Sequence, residues 1–334
     1  MRISETSLVL AALFLGVNSG SVGAIQARHS MIEKRCNPIG RLISSAGKGL
    51  PDGLLVCNGD NLNLSSGKKV GFLCYLNKNI LALKKGDILS KKCMPQREAM
   101  VMRCSPEYRK SCRSMKGAGE ENKPELIRPY DSVLLDNRPT LSWYAMPGAD
   151  SYTVEVNGVG LHWEEKVKGT TVAYPPEQPS MGYGNAYKVT VIANRNDSPL
   201  NDYSYSQRVF NLLPDSKAKE ITTLVKHIKS LNIPKDEAVY SDLDTIYMGS
   251  GLLNEAINAL KARVDEGSNN PGVYRLLGDR FLEAGLPVEA KSQYEQATKL
   301  AENSSDSNEL ARALSGLQFV EQHLKEIPTR LDSE

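Results

Sequence analysis

Residue types that carry out catalysis are few in this sequence and lie far apart. The histidines are His29, His162, His227 and His323. No serine or cysteine lies in a nucleophile-elbow pattern, and the zinc-protease motif H-E-x-x-H does not occur. The segment Gly47-Lys48-Gly49 lacks the glycine spacing and the following Ser or Thr of a phosphate-binding loop. We therefore expect a protein that is not an enzyme, with no catalytic residues, cofactor or metal.

The most suggestive local group is His162-Trp163-Glu164-Glu165, which combines an imidazole, two carboxylates and an aromatic ring. These residues alternate along a predicted strand, so their side chains point to opposite faces in turn. The interpretation that we favour is an exposed sheet edge with one buried aromatic, and a chemical site is the alternative.

The cysteines indicate an oxidising compartment. All six lie in one part of the chain, at Cys36, Cys57, Cys74, Cys93, Cys104 and Cys112. An even number in so short a region predicts a disulfide framework, although six cysteines allow about 15 pairings and leave the connectivity open. Metal binding is the competing idea, but the sequence contains no C-x-x-C and no histidine at ligand spacing.

The amino terminus has the pattern of a secretory signal peptide. Arg2 precedes an apolar run at 8–17, and a stretch of small residues ends at Ala24. We expect cleavage after Ala24 and a periplasmic or secreted protein, with an uncleaved membrane anchor as the alternative. An apolar run of this length is short for spanning a bilayer, and no later segment reaches about 18 apolar residues. The sequence thus predicts no transmembrane segment after cleavage.

Charge is distributed unevenly along the chain. Residues 25–120 contain 18 Lys or Arg against 7 Asp or Glu, a balance of +11, whereas 121–214 and 215–334 have balances of −3 and −6. Six lysines form the centre of the basic region, namely Lys68, Lys69, Lys84, Lys85, Lys91 and Lys92. This charge favours an anionic envelope partner such as lipid head groups, acidic polysaccharide or cell-wall polymer. Nucleic acid is not expected because stacking aromatics are scarce here. A solvated basic surface without a partner is the alternative.

Short strands and turns separate the cysteines. Alternating residues at 70–74, the turn Asn58-Gly59-Asp60 and the apolar run at 80–83 predict a small, disulfide-linked β domain over 25–115. Residues 57–60, the strand 70–74 and the ending Cys93-Met94-Pro95 resemble the small β domain of FecR-like exported proteins of the cyanobacterial type. That resemblance implies a disulfide between Cys74 and Cys93, and it leaves Cys36 with Cys57 and Cys104 with Cys112.

A polar linker at 116–124 precedes a second β region. About seven short strands with turns every 8 to 12 residues predict a β-sandwich over 125–213, including a hairpin signal at Asn157-Gly158. The segments 139–143, 147–149, 152–154 and 187–191 resemble a fibronectin type III or other immunoglobulin-like domain. We predict that Trp143 and Tyr187 are packing residues because alternation places them inward.

The carboxyl-terminal region contains two copies of one pattern offset by 34 residues, within 237–302. The matched pairs are Tyr240 and Tyr274, Leu243 and Leu277, Tyr247 and Phe281, Gly251 and Gly285, Ala256 and Ala290, and Leu260 and Tyr294. A repeat of this length resembles the tetratricopeptide repeat (TPR), a pair of antiparallel helices that stacks on its neighbours. We therefore predict an α-helical domain of TPR-like repeats over 215–326, followed by a tail at 327–334. The first copy departs from the pattern at Asp244 and Arg263.

In TPR proteins the first helix of each repeat lines a ligand groove. The resemblance places Ser241, Thr245, Met248, Arg275, Asp279, Leu282 and Glu283 on that face. The function hypothesis is a multidomain, extracytoplasmic adaptor that holds a protein or peptide partner in this groove. The alternative is a module that binds cell wall or acidic glycan through the basic β domain.

Overall fold

The computed structural model describes residues 38–44, 50–60, 62, 64, 66–94, 123–196, 198–199 and 204–326. Within these ranges, β-sheets with a disulfide between Cys74 and Cys93 come first, and a region of seven helices follows. The predicted signal peptide, most of the predicted linker and the predicted tail lie outside the described residues.

The first sheet is small and antiparallel. Its strands are β1 (Pro38–Leu42), β2 (Leu55–Cys57), β3 (Val70–Cys74) and β4 (Ile80–Leu83), in the order β2-β1-β3-β4. A single helical turn, α1 (Leu89–Lys92), covers one face. Side chains alternate between the faces of a strand. Val70 and Phe72 accordingly share a core with Leu89, whereas Leu73 belongs to the core of the helical region.

The disulfide between Cys74 and Cys93 confirms the pairing that the FecR-like resemblance implied. It joins β3 to the residue that follows α1. Cys57 is disulfide-bonded as well. The predicted pairs of Cys36 with Cys57 and of Cys104 with Cys112 involve cysteines outside the described residues.

Two further sheets enclose a second core. The smaller has the order β10-β7-β5 and the larger β6-β13-β11-β8-β9, with β12 paired to β11. The strands are β5 (Leu126–Arg128), β6 (Val133–Leu134), β7 (Leu141–Trp143), β8 (Ser151–Gly158), β9 (Leu161–Val167), β10 (Thr171–Val172), β11 (Ala186–Arg195), β12 (Ser198–Pro199) and β13 (Tyr205–Leu212). Trp143 from one sheet and Tyr187 from the other are buried in this core, which confirms their predicted packing role.

The hairpin predicted at Asn157-Gly158 exists, but its turn lies two residues later. Gly158 still pairs with Leu161, and the loop consists of Val159 and Gly160, where Gly160 has φ +66°. Gly158 has a different reason to be glycine, because a Cβ there would lie 2.2 Å from the ring of Tyr187. The glycine at position 158, which the sequence pattern attributed to a turn, is thus explained by a close contact with Tyr187 on the neighbouring strand.

The group around His162 lies on β9, which is the last strand of its sheet. His162 and Glu164 are exposed, while Trp163 is buried against Tyr174 in an edge-to-face contact of 5.4 Å between ring centroids. The prediction of an exposed edge with one inward aromatic is confirmed.

The helices are α2 (Asp215–Ser230), α3 (Lys235–Glu237), α4 (Asp244–Gly249), α5 (Leu253–Asp265), α6 (Pro271–Glu283), α7 (Pro287–Ser304) and α8 (Ser307–Glu326). A π-helical segment, Ala238–Leu243, joins α3 to α4 without a break. Helix α8 packs on α7 and α6, and α6 packs on α5. No helix among the described residues combines the length and the apolar character needed to cross a membrane.

The two sequence copies have the same turn between their helices. Gly251 and Gly285 adopt φ +72° and +77°, a conformation that glycine adopts without steric cost. After each glycine a backbone amide returns to the preceding helix: Leu252 donates to Tyr247 at 2.9 Å, and Leu286 donates to Phe281 at 2.8 Å. The 34-residue offset of the sequence is therefore a repeat of local structure as well.

Helix spacing in the second copy depends on one tyrosine and two glycines. A Cβ on Gly278 of α6 would lie 2.8 Å from the ring of Tyr294, and a Cβ on Gly316 of α8 would lie 2.5 Å from it. The Tyr294 hydroxyl donates to the Asp279 carboxylate at 2.7 Å. The fully buried ring of α7 thus lies between two helices that can approach only because both contact residues lack a side chain.

Candidate functional site

The seven residues predicted for a partner groove are largely covered by this chain. Thr245, Met248, Arg275 and Leu282 are buried, with 5% or less of each exposed. Ser241, Asp279 and Glu283 are partly exposed. The positions accessible to a partner are therefore fewer than the resemblance implied.

Arg275 is an ion-paired residue inside the helical stack. Its Nε donates to Glu309 of α8 at 2.5 Å, and its guanidinium donates to Asp279, one turn along α6, at 2.5 Å. Burial by itself lowers the pKa of Arg275, but the two carboxylates raise it above its usual value. The side chain of Arg275 therefore links α6 to α8 through ion pairs within the chain.

A second buried arginine explains why the first copy departs from the repeat pattern at Asp244. Arg280 donates to both carboxylate oxygens of Asp244, at 2.7 and 2.6 Å, and also to Glu283 at 3.2 Å. Such a bidentate pair is the arrangement in which an arginine and a carboxylate are held most firmly. Asp244 stands where the second copy has Gly278, and it is matched by an arginine 36 positions later.

The other departure, Arg263, is matched in the same way. Its Nε donates to Asp236 at 2.6 Å, and the hydroxyl of Ser268 donates to the same oxygen at 2.8 Å. Both deviations from the repeat are thus compensated by a partner that lies far away in sequence.

The β-sandwich docks on the turn ends of the helices. Tyr130 contacts Phe281 edge to face, with 5.9 Å between ring centroids, and its backbone amide donates to Asn254 Oδ1 at 3.2 Å. Leu73 and Tyr130 belong to the same hydrophobic core as α5 and α6, so the sandwich, the small sheet and the helices share buried surface.

Glu255 is the buried carboxyl at this junction. Its Oε1 accepts backbone N–H bonds from Leu135 at 2.7 Å and from Asp136 at 3.0 Å. Desolvation raises the pKa of Glu255, and these two hydrogen bonds oppose that rise only in part. The carboxyl therefore fixes the sandwich to α5 through two hydrogen bonds, and its pKa lies above the usual value.

The small β domain docks on the helices through Arg41, a fully buried arginine. Its Nε donates to both oxygens of Asp242 at 2.9 and 3.0 Å, and its other nitrogens donate to Gly53 O at 2.7 Å and to Glu237. Tyr75 also donates to Asp242, at 2.7 Å. Burial by itself lowers the pKa of Arg41, but its anionic partners raise it, so the guanidinium stays charged.

Sequence reasoning missed this network because its members lie about 200 positions apart. Arg41 and Asp242 are separated by 201 residues. The one local signal is the pair of acidic residues, Asp242 and Asp244, on a helix that otherwise reads as apolar, since buried acids require a partner. The π-helical segment that carries Asp242 had no visible signature in the sequence.

The lysines of the alternative hypothesis do come together. All six are exposed. Lys68 and Lys69 precede β3 and Lys84 and Lys85 follow β4, so the antiparallel pairing of Val70 with Leu83 places these four at the same end of the two strands. We call the six lysines Lys68, Lys69, Lys84, Lys85, Lys91 and Lys92 the basic surface. Among the described residues, no group of His, Cys, Asp or Glu side chains is arranged to hold a metal ion.

Comparison with known proteins adds little to this geometry. No protein-family model matches the chain, and no curated protein matches it. One solved structure with a weak similarity is that of Astrotactin-2, described as a conserved vertebrate-specific and perforin-like membrane protein involved in neuronal development. The similarity covers 92% of this chain and 58% of that one, at 12% identity and a TM-score of 0.19. A score this low carries no conclusion about fold or function.

Proposed function

We propose that this chain is a non-enzymatic, exported protein–protein interaction adaptor with TPR-like carboxyl-terminal repeats. The observation that carries the proposal is the repeated turn, in which Gly251 and Gly285 have the same conformation and are followed by the same hydrogen bond. Stacked helix pairs of this kind bury a common seam and leave one face for another molecule. The partner is a protein or peptide that contacts the partly exposed end of that face.

The two β parts fit the same role. Paired sheets around one core, with Trp143 and Tyr187 inside it, support a fibronectin type III or immunoglobulin-like assignment for 125–213. The Cys74–Cys93 disulfide supports a FecR-like assignment for the small domain and hints at an oxidising compartment, in agreement with export. Because both parts are docked on the helices, they hold the repeats in a fixed orientation rather than on a loose tether.

Site-specific crosslinking tests the adaptor. A photoreactive p-benzoylphenylalanine is introduced in place of Ser241 or Glu283, which are partly exposed members of the predicted groove. Matched control positions are Ser292 and Lys299, which are exposed on α7. We expect the groove positions, but not the controls, to give one discrete crosslinked protein in the native host. Equal products at all four positions, or none at the groove positions, would refute the proposal.

A second function, recognition of an anionic envelope component, is favoured by the strand register that gathers the basic surface. Four of its lysines lie at one end of the β3–β4 hairpin, and clustered charge of one sign attracts an oppositely charged surface. The two functions are compatible because the small sheet and the helical repeats are separate parts of the chain.

A further inference from the structure

Helix α1, which carries Lys91 and Lys92 of the basic surface, lies on the side of the small sheet that faces away from the helical region. Leu73 points from β3 into the core of the helical region, whereas Val70 and Phe72 point to the other side, where they share a core with Leu89 of α1. The segment 84–94, which contains α1, therefore covers the outer face of this sheet.

Among the described residues, few carboxylates oppose the positive charge of these lysines. Asp87 lies among the lysines and bonds to Lys92 at 2.8 Å; hydrogen bonding from Lys92, then from the Lys84 backbone amide, lowers the pKa of Asp87. Asp60, the other nearby acid, accepts the backbone amide of Cys57 at 2.8 Å. Among the described residues, the lysines of the basic surface other than Lys92 form no ion pair. In the part of the chain that the structure describes, six exposed lysines are thus accompanied by two nearby acids that are already hydrogen-bonded.

Two large apolar side chains are exposed among these lysines. Ile88 is 52% exposed and Met94 is 55% exposed, and both lie in the same 84–94 segment as Lys84, Lys85 and α1. An anionic polymer offers negative charge but no apolar layer for such side chains. A bilayer offers both, because basic residues meet the anionic headgroups while apolar ones enter the boundary with the acyl chains.

We propose that the basic surface, together with Ile88 and Met94, binds the surface of a bilayer that contains anionic phospholipids. This inference rests on the second proposed function and names its ligand class. The lysines contact lipid phosphates, and Ile88 and Met94 enter the headgroup region. The small domain then lies between the bilayer and the helices, so the repeats are held at a membrane surface from which they can reach their own partner.

The test is co-sedimentation with vesicles at an ionic strength of about 0.1 M. The protein used is the chain from Ile25 onward, because the apolar run at 8–17 would itself enter a bilayer, and this form retains every described residue. Vesicles contain either phosphatidylcholine alone or a mixture with phosphatidylglycerol, and dextran sulfate serves as the soluble polyanion. We expect binding to the phosphatidylglycerol vesicles and little binding to pure phosphatidylcholine.

Variants separate charge from insertion. Each lysine of a polybasic surface contributes about fivefold to the affinity for an anionic membrane, so Lys84→Gln/Lys85→Gln is expected to weaken vesicle binding about 25-fold. Ile88→Ser/Met94→Ser is expected to weaken vesicle binding at least about tenfold and to leave dextran sulfate binding unchanged. The matched controls are Lys226→Gln/Lys229→Gln and Val159→Ser/Val288→Ser. They replace exposed side chains elsewhere, and binding should stay within about twofold of the unmodified chain.

Each outcome decides the matter. Dextran sulfate binding without vesicle binding, or vesicle binding that Ile88→Ser/Met94→Ser does not weaken, would overturn the lipid assignment and leave an anionic polymer as the ligand. Absence of binding to both would overturn the second function itself and leave the crosslinking result for the adaptor unaffected. Unchanged circular dichroism and melting midpoints for these exposed substitutions establish that the variants are folded.

Discussion

Replacing Arg41 tests whether the small β domain is fastened to the helices by a buried ion pair. The change Arg41→Met keeps most of the side-chain volume and removes the guanidinium. Asp242 and Glu237 then lose their cationic partner, and Gly53 O loses its donor. Because Arg41 and Asp242 are both fully buried, water does not replace the lost contacts.

The expected destabilisation follows from that burial. Removing one partner of a buried ion pair costs about 3–5 kcal/mol, because the remaining charge stays desolvated. For a protein of this size, each kcal/mol lowers the melting midpoint by about 2–4 °C, which gives a decrease of roughly 6–20 °C. Circular dichroism at 222 nm follows the helices, while Trp143 and Trp163 are the tryptophans of the chain and report on the sandwich by fluorescence. We expect the helical signal to shift more than the fluorescence.

Two further variants complete the measurement. Arg41→Met/Asp242→Asn removes both charges and should recover a large part of the loss, since contacting residues are strongly non-additive. Arg195→Met is the control, because Arg195 is exposed and donates to Gly148 O at 2.8 Å. A loss below about 1 kcal/mol for Arg41→Met, or the same loss with and without Asp242→Asn, would contradict a buried ion pair.

Three other changes test the remaining contacts. Burial raises the pKa of Glu255, so the stabilising contribution of this carboxyl is complete below its unfolded-state pKa and is lost as pH rises through its folded-state pKa. Glu255→Gln should therefore raise the melting midpoint at pH 7 to 8 but not near pH 4. A lower midpoint at pH 7 would refute this expectation. Gly278→Ala should lower the free energy of unfolding in urea by about 1–3 kcal/mol, because the added Cβ would meet the Tyr294 ring. The control Gly169→Ala should be nearly neutral, since nothing lies within 4 Å of its added Cβ. Equal effects of the two changes would contradict the packing. Arg275→Glu should lower the melting midpoint markedly by placing an anion among carboxylates, and an unchanged midpoint would show that the arginine is not ion-paired in solution.

The last of these revises an expectation from the sequence. The TPR resemblance placed Arg275 and Asp279 on the face that lines a ligand groove. In the structure Arg275 is 3% exposed and joins α6 to Glu309 on α8. A co-purification experiment with reversed charges at these positions would therefore measure unfolding together with binding.

Short-range sequence patterns were sufficient to predict the helix turns and the inward side chains of the strands. The offset between Gly251 and Gly285 located the helix turns because a turn of this type needs a residue that tolerates positive φ. Alternation placed Trp143, Trp163 and Tyr187 inward because successive side chains of a strand face opposite sides. Both signals are contained within a few residues, so they can be read without knowledge of the tertiary contacts.

What the sequence did not reveal depends on contacts between distant residues. Arg41 looked like one more basic residue in a basic region, and only the docked helices show that it is buried. Asp244 looked like a defect in the repeat until Arg280 supplied its partner. In contrast, the placement of Lys69 and Lys84 at the same end of β3 and β4 follows from a local hairpin whose strands were predicted but whose register was not.

The separation between Arg41 and Asp242 has a consequence for biosynthesis. At about 5–20 residues per second, a ribosome needs roughly 10–40 s to extend the chain from one to the other. During that interval the guanidinium of Arg41 and the Leu73 side of the small sheet have no helices to cover them. Docking of the small β domain on its helices is therefore completed only after the helical region has been synthesised.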